Sequence, residues 1–258
     1  MLVDDYCPRH SLICEHGLSI LVEADGLSFL VDTGQSGYVL HHNARVLGKR
    51  LPTVTVLTHG HYDHGGGLRM VSGTLYAGKN AFVRRVHYGL SGIRDIGVPL
   101  NAVEGLDLKI VSAPYELFPG VILSGPIPRA TEYERPQSDL FVVDESGNYK
   151  QDQIEDEMAV YVKSREGIIV ITGCAHAGIV NTIKHAQRYG DVCCIVGGTH
   201  LANASKERIE KTAEFLDENV ERAYVCHCTG YRGHHLLRSF ARKTSIFSIS
   251  AGTQLFFK

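Results

Sequence analysis

The run Thr58-His59-Gly60-His61-Tyr62-Asp63-His64 places three imidazoles and a carboxylate within six residues, directly after the apolar stretch 54–57. His59 and His61 are two positions apart, so on an extended backbone their side chains point the same way and can hold one ion. Asp63 and His64 can reach a neighbouring position. The run therefore predicts a metal site, and the alternative is a polar loop that is rich in histidine by chance.

Three further histidines follow predicted strands elsewhere in the chain. His176, His200 and His227 each come shortly after an apolar stretch of the kind that forms a strand. Any one of them alone is more often an ordinary loop histidine. Four strands that each lead to histidine predict that their loops converge on a single cleft. The remaining histidines are interpreted as structural or surface residues: His10, His16, His41, His42, His87, His185, His234 and His235.

Composition limits the class of protein. The chain has 258 residues, 44% of them hydrophobic, which is enough for a large core in one domain. Its net charge of −2 gives no general attraction to nucleic acid, and no apolar run of about 18 residues is present to cross a bilayer. The start Met1-Leu2-Val3-Asp4-Asp5 lacks the features of an export signal. We expect a cytoplasmic protein with a small-molecule partner and neither nucleic acid nor membrane; the oligomeric state is open.

The chain contains seven cysteines, an odd number that favours free thiols over a disulfide framework. Cys226-His227-Cys228 has the composition of a thiolate metal clip, but zinc clips usually space their cysteines by about two to four residues and come in pairs. Buried, unreactive thiols are the default interpretation, because free cysteine behaves largely as a small apolar residue.

Strand and helix patterns alternate along the chain without a repeat. Strands over 18–23 and 27–32 read as a hairpin around Ala24-Asp25-Gly26. Helices are predicted from Asn203 or Ser205 to Asn219, and over 179–188 and 234–242. Further strands, too many for one small sheet, are predicted over 53–57, 73–77, 108–111, 121–123, 140–144, 158–163, 167–172, 192–197, 223–226 and 245–248.

These motifs resemble the metallo-beta-lactamase fold superfamily over nearly the whole chain. Its HxHxDH motif corresponds to residues 59–64, its early Asp-Thr-Gly to Asp32-Thr33-Gly34, and its two later histidines to His176 and His227. The strings HGHYDHGGG, TGCAHAGIVNT, GGTHL and CHCTG are similar to the branch of the archaeal dihydropterin aminobenzene phosphate synthase, whose bacterial members are mostly named only as metal-dependent hydrolases. Because function resides in the site and its loops, the reaction of one member does not transfer to another.

The resemblance implies an α/β fold, an αββα four-layer sandwich of two mixed β-sheets flanked by helices, with residues 1–258 in a single domain and the metals at one edge. It implies zinc, one or two ions per chain, with iron or manganese as alternatives. Water on a zinc ion held by three neutral imidazoles has a pKa of about 7. The first site would consist of His59, His61 and His176, and the second of Asp63, His64 and His227.

One position departs from the superfamily pattern. A carboxylate of the fourth motif usually bridges both metals, but the corresponding segment Val196-Gly197-Gly198-Thr199-His200-Leu201 has no Asp. His200 either ligates one ion or lies beside the site as an acid or a phosphate donor. A neutral imidazole does not bridge two dications as a carboxylate does, so we expect the second site to be weaker or empty.

The predicted function is that of a metal-dependent hydrolase or phosphotransfer enzyme on a small anionic metabolite, phosphorylated or pterin-like. A metal-bound hydroxide would attack phosphorus or carbonyl carbon while Asp63 orients it and helps to hold the second ion. Asp32 would accept a hydrogen bond from a ligand imidazole and so fix its tautomer; the alternative is an aspartate that caps the turn at Thr33-Gly34.

Other functions are alternatives. If the chemistry of the branch holds, an amine displaces pyrophosphate from a dihydropterin pyrophosphate, and the protein is a transferase in pterin biosynthesis. A non-catalytic metal-binding or redox-sensing protein would depend on Cys226, Cys228 and the missing carboxylate. A nuclease is disfavoured by the near-neutral charge and the lack of a basic exosite.

The segment 79–135 departs most from a bare sandwich and is predicted to be a lid insertion over the cleft. It combines glycine and proline with arginine and tyrosine, including Arg84, Arg129 and Tyr133. Arginine suits phosphate, and tyrosine suits stacking on a flat ring such as a pterin. These three residues and His200 are the predicted substrate contacts, and the alternative is that the arginines are solvated surface groups.

Overall fold

Short apolar strands and a few helices alternate along residues 1–24 and 26–257, the part of the chain that this computed structural model describes. The strands are β1 (Ile20–Ala24), β2 (Leu27–Val31), β3 (Val54–Leu57), β4 (Thr74–Gly78), β5 (Arg85–Gly89), β6 (Gly92–Asp95), β7 (Asp107–Val111), β8 (Tyr115–Phe118), β9 (Val121–Leu123), β10 (Leu140–Val143), β11 (Tyr149–Gln151), β12 (Val160–Ser164), β13 (Gly167–Thr172), β14 (Val192–Gly197), β15 (Arg222–Val225) and β16 (Ser245–Ser248). The helices are α1 (Gly37–Val46), α2 (Tyr62–Gly65), α3 (Ile179–Ala186), α4 (Lys206–Asn219) and α5 (Gly230–Phe240).

The two large sheets are both mixed. The first has the strand order β1-β2-β3-β4-β7, with an antiparallel β1-β2 pair and parallel pairs from β2 onwards. The second has the order β16-β15-β14-β13-β12-β9-β8, parallel from β13 to β16 and antiparallel elsewhere. The predicted β1-β2 hairpin is confirmed, although its turn residue Asp25 lies outside the described residues.

The chain forms four layers, in the order helix, sheet, sheet and helices, with a hydrophobic cluster between each pair of neighbouring layers. Helix α1 packs on the first sheet through Val39 and Leu40, while α3, α4 and α5 pack on the second sheet. Between the sheets lies a cluster that includes Phe29 from the first sheet and Ile171 from the second. The alternation of apolar residues along the strands buries one face of each sheet against the other. The predicted αββα sandwich of two mixed sheets is therefore confirmed.

A third, four-stranded sheet has the antiparallel order β11-β10-β5-β6. The segment 79–135 contributes β5 and β6 to this sheet, β7 to the first sheet, and β8 and β9 to the second. The predicted lid segment is thus shared among all three sheets, and a covering role for part of it stays a prediction.

Three helices differ from the sequence prediction. The one-turn helix α2 was not predicted, because the sequence analysis assigned its residues only to the metal motif. Helix α1 was not predicted, because only a narrow stripe of it is apolar, but Ser36 caps its first turn. Helix α5 begins at Gly230, four residues before the predicted range 234–242, because the glycines in its first turns hide the helical pattern. A Cβ at Gly233 would lie 2.9 Å from the carbonyl carbon of Leu201, so close packing requires glycine there. Within the described residues, none of the helices is both long and apolar enough to span a bilayer.

The third sheet is joined to the sandwich by a buried arginine. Arg85, in β5, is 1% exposed and its Nε donates to Asp152 at 2.7 Å, while Nη2 donates to Asp156. Asp156 also accepts a hydrogen bond from the backbone nitrogen of Gly60 at 2.8 Å. This network links the third sheet directly to the histidine-rich loop after β3.

Replacing Arg85 with methionine should lower the free energy of unfolding by about 3–5 kcal/mol, because two buried carboxylates lose their cation. Urea denaturation measures this change. The matched control is Arg84→Met, since Arg84 is exposed and pairs with the exposed Asp95; its effect should stay below about 1 kcal/mol. Equal losses in the two variants would contradict the role of Arg85.

Candidate metal centre

Four loops that follow strands meet at one edge of the sandwich. In the first sheet β3 leads into the loop 59–64, and in the second sheet β13, β14 and β15 lead to His176, His200 and His227. The ring centroids of His59 and His176 are 4.7 Å apart, and those of His64 and His227 are 5.0 Å apart. The structure therefore brings together histidines that are far apart in the sequence.

The first group of ligand candidates consists of His59, His61 and His176, all buried. Nε2 of His59 lies 3.0 Å from Nδ1 of His61, and the ring of His176 lies 4.9 Å from that of His61. Nδ1 of His59 lies 3.0 Å from Oγ1 of Thr58, which holds the ring and turns Nε2 towards the centre. Three imidazoles thus face one point.

Two buried carboxylates hold the loops that carry this group. Asp156 accepts from the backbone nitrogen of Gly60, and Glu157 accepts from the backbone nitrogens of His176, at 2.6 Å, and Ala177. Burial raises the pKa of Asp156 to about 6 and that of Glu157 to about 7. Both residues lie just before β12, where no periodic pattern marks them, and the sequence interpretation missed them.

The second group consists of Asp63, His64 and His227. The Nε2 atoms of His64 and His227 are 3.2 Å apart, and Oδ2 of Asp63 lies 3.3 Å from Nε2 of His227 and 3.6 Å from Nε2 of His64. All three are buried. Two imidazole nitrogens and a carboxylate oxygen therefore surround a second point beside the first.

Carboxylates on the far side of the rings orient this second group. Nδ1 of His64 donates to Asp32 at 2.6 Å, and Nδ1 of His227 donates to Asp5, also at 2.6 Å. Asp32 further accepts from the backbone nitrogen and the hydroxyl of Thr58, each at 2.7 Å. Such acceptors fix the tautomer that leaves Nε2 free for a cation. Asp5 gave no sequence signal, because it lies in the irregular N-terminal segment.

Several residues at this edge adopt left-handed backbone conformations. The φ angles are 60° for Asp32, 58° for Ala175, 52° for His200 and 47° for His227. This region is uncommon for residues other than glycine, and its strain clusters at functional sites. The hydrogen bonds of the loops hold these side chains in place.

The electrostatics of the first group favour neutral rings. Burial and the neighbouring histidines lower the pKa of His59 and of His176 well below the usual range. Burial also lowers the pKa of His61 to about 3. Neutral imidazole is the form that binds a metal ion.

In the second group, ionised carboxylates lie beside an imidazole. Against the opposing effect of burial, His64 and His227 hold the pKa of Asp63 well below its usual range. Burial is likewise outweighed at His227, where Asp5 and Asp63 raise the pKa of the imidazole. Asp63 is therefore ionised, and a cation held beside it would take the place of a proton on His227.

These distances fit a divalent cation. Ligand atoms about 2.0–2.1 Å from a tetrahedral zinc ion are roughly 3.3 Å apart, close to the separations of 3.0–3.3 Å at the two points. Nε2 of His176 is buried and has no hydrogen-bond partner among residues 1–24 and 26–257. A buried polar atom without a partner is costly, and a bound cation removes that cost. The centre can hold a metal ion, and its imidazole and carboxylate ligands suit several divalent cations.

Two residues that the sequence interpretation set aside lie at the centre. Sγ of Cys174 is 3.2 Å from Nε2 of His64, although burial raises the pKa of this thiol well above its usual range. Nε2 of His16 is 3.3 Å from Asp63, and its Nδ1 is 3.0 Å from Asp5. His16 was interpreted as a structural or surface residue, and it is half-exposed, but these contacts also place it at the rim of the centre. His16 does not follow a strand, and Cys174 follows β13 but is not a histidine, so neither matched the pattern of histidines after strands.

His200 lies at the edge of the first group. Its ring centroid is 4.2 Å from that of His176, and its Nε2 donates to Oε1 of Gln137 at 2.8 Å. Nδ1 is buried and finds no partner in the described part of the chain. A ring nitrogen of His200 and the Sγ atoms of Cys174 and Cys228 lie within 4.8 Å of one another.

The other predicted substrate residues lie elsewhere. Arg84 is exposed and pairs with an aspartate on the surface. The guanidinium of Arg129 donates to the backbone carbonyl of His176 at 2.7 Å and to that of Gln153 at 3.0 Å, so it braces a ligand loop. Tyr133 packs against the hydrophobic cluster between the second sheet and helices α3, α4 and α5. None of the three turns its polar group into the centre in the described structure.

Layered mixed sheets with a histidine and aspartate centre at one edge define a class of metal-binding proteins, and comparison with known proteins gives the family. A family model described as the metallo-beta-lactamase superfamily matches residues 12–104. The crystal structure of Tm1679, a metal-dependent hydrolase of the beta-lactamase superfamily, is 33% identical and superposes with a TM-score of 0.88, covering 99% of this chain and 96% of the other.

Two curated relatives come from Methanocaldococcus jannaschii. The uncharacterized protein MJ0448 is 30% identical over 90% of this chain and 90% of its own length. The enzyme 7,8-dihydropterin-6-methyl-4-(beta-D-ribofuranosyl)-aminobenzene-5'-phosphate synthase is 27% identical over 91% of this chain and 88% of its own length. The chain belongs to the metallo-beta-lactamase superfamily, and to the branch that is similar to this synthase and to metal-dependent hydrolases.

Replacing Asp32 with asparagine should lower the affinity for zinc by about 10–100-fold, because the tautomer and the orientation of His64 are no longer fixed. Competition with a chromophoric chelator measures the affinity. Asp139→Asn is the matched control, since Asp139 pairs with His87 at 3.1 Å on the surface and should leave metal binding unchanged. An unaltered affinity in Asp32→Asn would contradict this role of Asp32.

Proposed function

We propose that the protein is a metal-dependent hydrolase or phosphotransfer enzyme that uses one or two zinc ions on a small anionic metabolite. The observation that carries this proposal is the pair of adjacent ligand groups at one edge, with ring nitrogens turned inward. The 33% identity to a metal-dependent hydrolase over nearly the whole chain supports the class. The net charge of −2 supports a small partner rather than nucleic acid.

A divalent cation held there would activate water and stabilise negative charge that develops on oxygen. The residues of the chain position and exchange protons around it. Asp63 is ionised and lies between His64 and His227, where it can accept a hydrogen bond from an attacking water or hold a second cation. His16 lies at the rim, half-exposed, and can donate a proton to a departing oxygen.

A different arginine from those predicted lies near the mouth of the centre. The guanidinium carbon of Arg94 is 5.6 Å from the ring centroid of Tyr62, which stands 6.3 Å from the ring of His16. Arg94 is exposed on β6, whereas Arg84 pairs with Asp95 and Arg129 donates to backbone carbonyls. We therefore assign the contact with an anionic substrate to Arg94.

A transferase is the second candidate, and the relation to the dihydropterin-type synthase favours it. In that reaction an amine would displace pyrophosphate from a dihydropterin pyrophosphate, with the anionic leaving group at the cations. An assay with a dihydropterin pyrophosphate as substrate separates the two candidates. Release of pyrophosphate that requires an added aromatic amine indicates the transferase, and release with water alone indicates the hydrolase.

Replacing His61 with alanine should abolish turnover of the preferred substrate, as should removal of metal by a chelator, because the first group loses a ligand. A panel of phosphoesters, pyrophosphates and thioesters, assayed with elemental analysis of the purified protein, provides the measurement. His87→Ala, on the surface, is the control and should keep full activity. Full turnover in chelator-treated protein would rule out the proposed function.

Replacing Arg94 with alanine should raise KM for an anionic substrate by about 10–100-fold, the worth of one charge-assisted hydrogen bond. Steady-state kinetics at low ionic strength measures KM and kcat. The control is Arg84→Ala, which removes another exposed arginine of the same segment and should leave KM unchanged. If KM rose in Arg84→Ala and not in Arg94→Ala, the assignment of the substrate contact to Arg94 would be wrong.

A further inference from the structure

We propose that Cys174 supplies a thiolate ligand shared by the two metal positions, in place of the carboxylate that the segment 196–201 lacks. This inference rests on the proposed function only in requiring that a cation binds. It gives the centre an anionic ligand at a position that the histidine and aspartate motifs do not assign.

The position of Sγ carries the inference. It lies 3.2 Å from Nε2 of His64, which is the separation of two ligand atoms on one ion. It also lies within 4.8 Å of the ligand nitrogens of His59 and His176 in one group, and of His64 and His227 in the other. Cys174 is therefore the thiol that both groups have in common.

An unpaired buried atom beside it points to a ligand. The side chain of His176 is more than nine-tenths buried, and its Nε2 has no hydrogen-bond partner within the described residues. Cys174 is itself 3% exposed. A buried imidazole nitrogen that no protein group satisfies, next to further imidazoles and a thiol, favours a bound cation over packing alone.

The loop is shaped to bring the sulfur this close. A Cβ at Gly173 would lie 2.1 Å from Oγ1 of Thr58, so the two loops meet only because residue 173 is glycine. The left-handed Ala175 separates Cys174 from His176, whose backbone nitrogen is held by Glu157. The backbone of Cys174 is therefore held on both sides, and its side chain starts from a fixed position beside the two histidine groups.

The chemistry is ordinary ligand exchange. The thiol loses its proton to solvent, a metal–sulfur bond forms, and no oxidation or reduction takes place. A thiolate is anionic and can be shared by two cations, which the neutral imidazole of His200 cannot do. It also biases the centre towards zinc or ferrous iron over magnesium and manganese.

Titration of the full-length protein with Co²⁺ tests the proposal, because a thiolate bound to Co²⁺ gives a near-ultraviolet charge-transfer band that nitrogen and oxygen ligands lack. The unchanged protein should show the band. Cys174→Ser should lose the band while it still binds Co²⁺ at the first histidine group. Cys194→Ala, which removes a buried core thiol outside the centre, should keep both.

Further variants make each result decisive. Cys174→Asp restores a shareable carboxylate and should bind as much Co²⁺ as the unchanged protein without the band. Cys228 lies beside Cys174 and His200, so loss of the band in Cys228→Ala with its retention in Cys174→Ser overturns the proposal. Co²⁺ bound without any band overturns this inference alone, whereas no bound Co²⁺ overturns the proposed function itself. Circular dichroism of Cys174→Ser, compared with that of the unchanged protein, checks that the variant is folded.

Discussion

The buried carboxylate of Asp32 is the contact on which the centre depends. It stands at the end of β2 and accepts from Thr58 twice and from His64 once, so it ties the histidine-rich loop to the first sheet. Burying a carboxylate is costly unless its oxygens are hydrogen-bonded, and here the bonds that offset the cost also aim His64. The carboxylate oxygens of Asp32 therefore both stabilise the fold and orient the His64 ring.

The centre lies where the two sheets meet, and each sheet supplies part of it. The first sheet brings the compact motif, and the second brings single histidines on three separate loops. The parallel strands β13, β14 and β15 end at the same edge. For this reason His176, His200 and His227 are neighbours, although about fifty positions separate the first from the last in the sequence. Rigid strands fix the loops, while the loops remain the place where members of the superfamily differ.

Much of this was readable from the sequence, for identifiable reasons. His59, His61, Asp63 and His64 are close along the chain, and His176, His200 and His227 follow apolar strands, so spacing alone indicates them. Cys174 escaped because a buried thiol looks like any small apolar residue. His16 and Asp5 escaped because they lie in irregular chain, and Asp5 meets its partner His227 across 222 residues. Arg84 and Arg129 were chosen by residue type, which does not report where a guanidinium points.

The pairing of Asp5 with His227 has a consequence for how the molecule is assembled. The backbone nitrogen of His227 also donates to Asp4 at 3.0 Å, so the beginning of the chain is fastened to its last ligand loop. During synthesis, Asp4 and Asp5 cannot form these hydrogen bonds until the loop that carries His227 has been made. The first histidine group would then be complete before the second, and a cation bound at the second group would join the segment of Asp4 and Asp5 to the loop of His227.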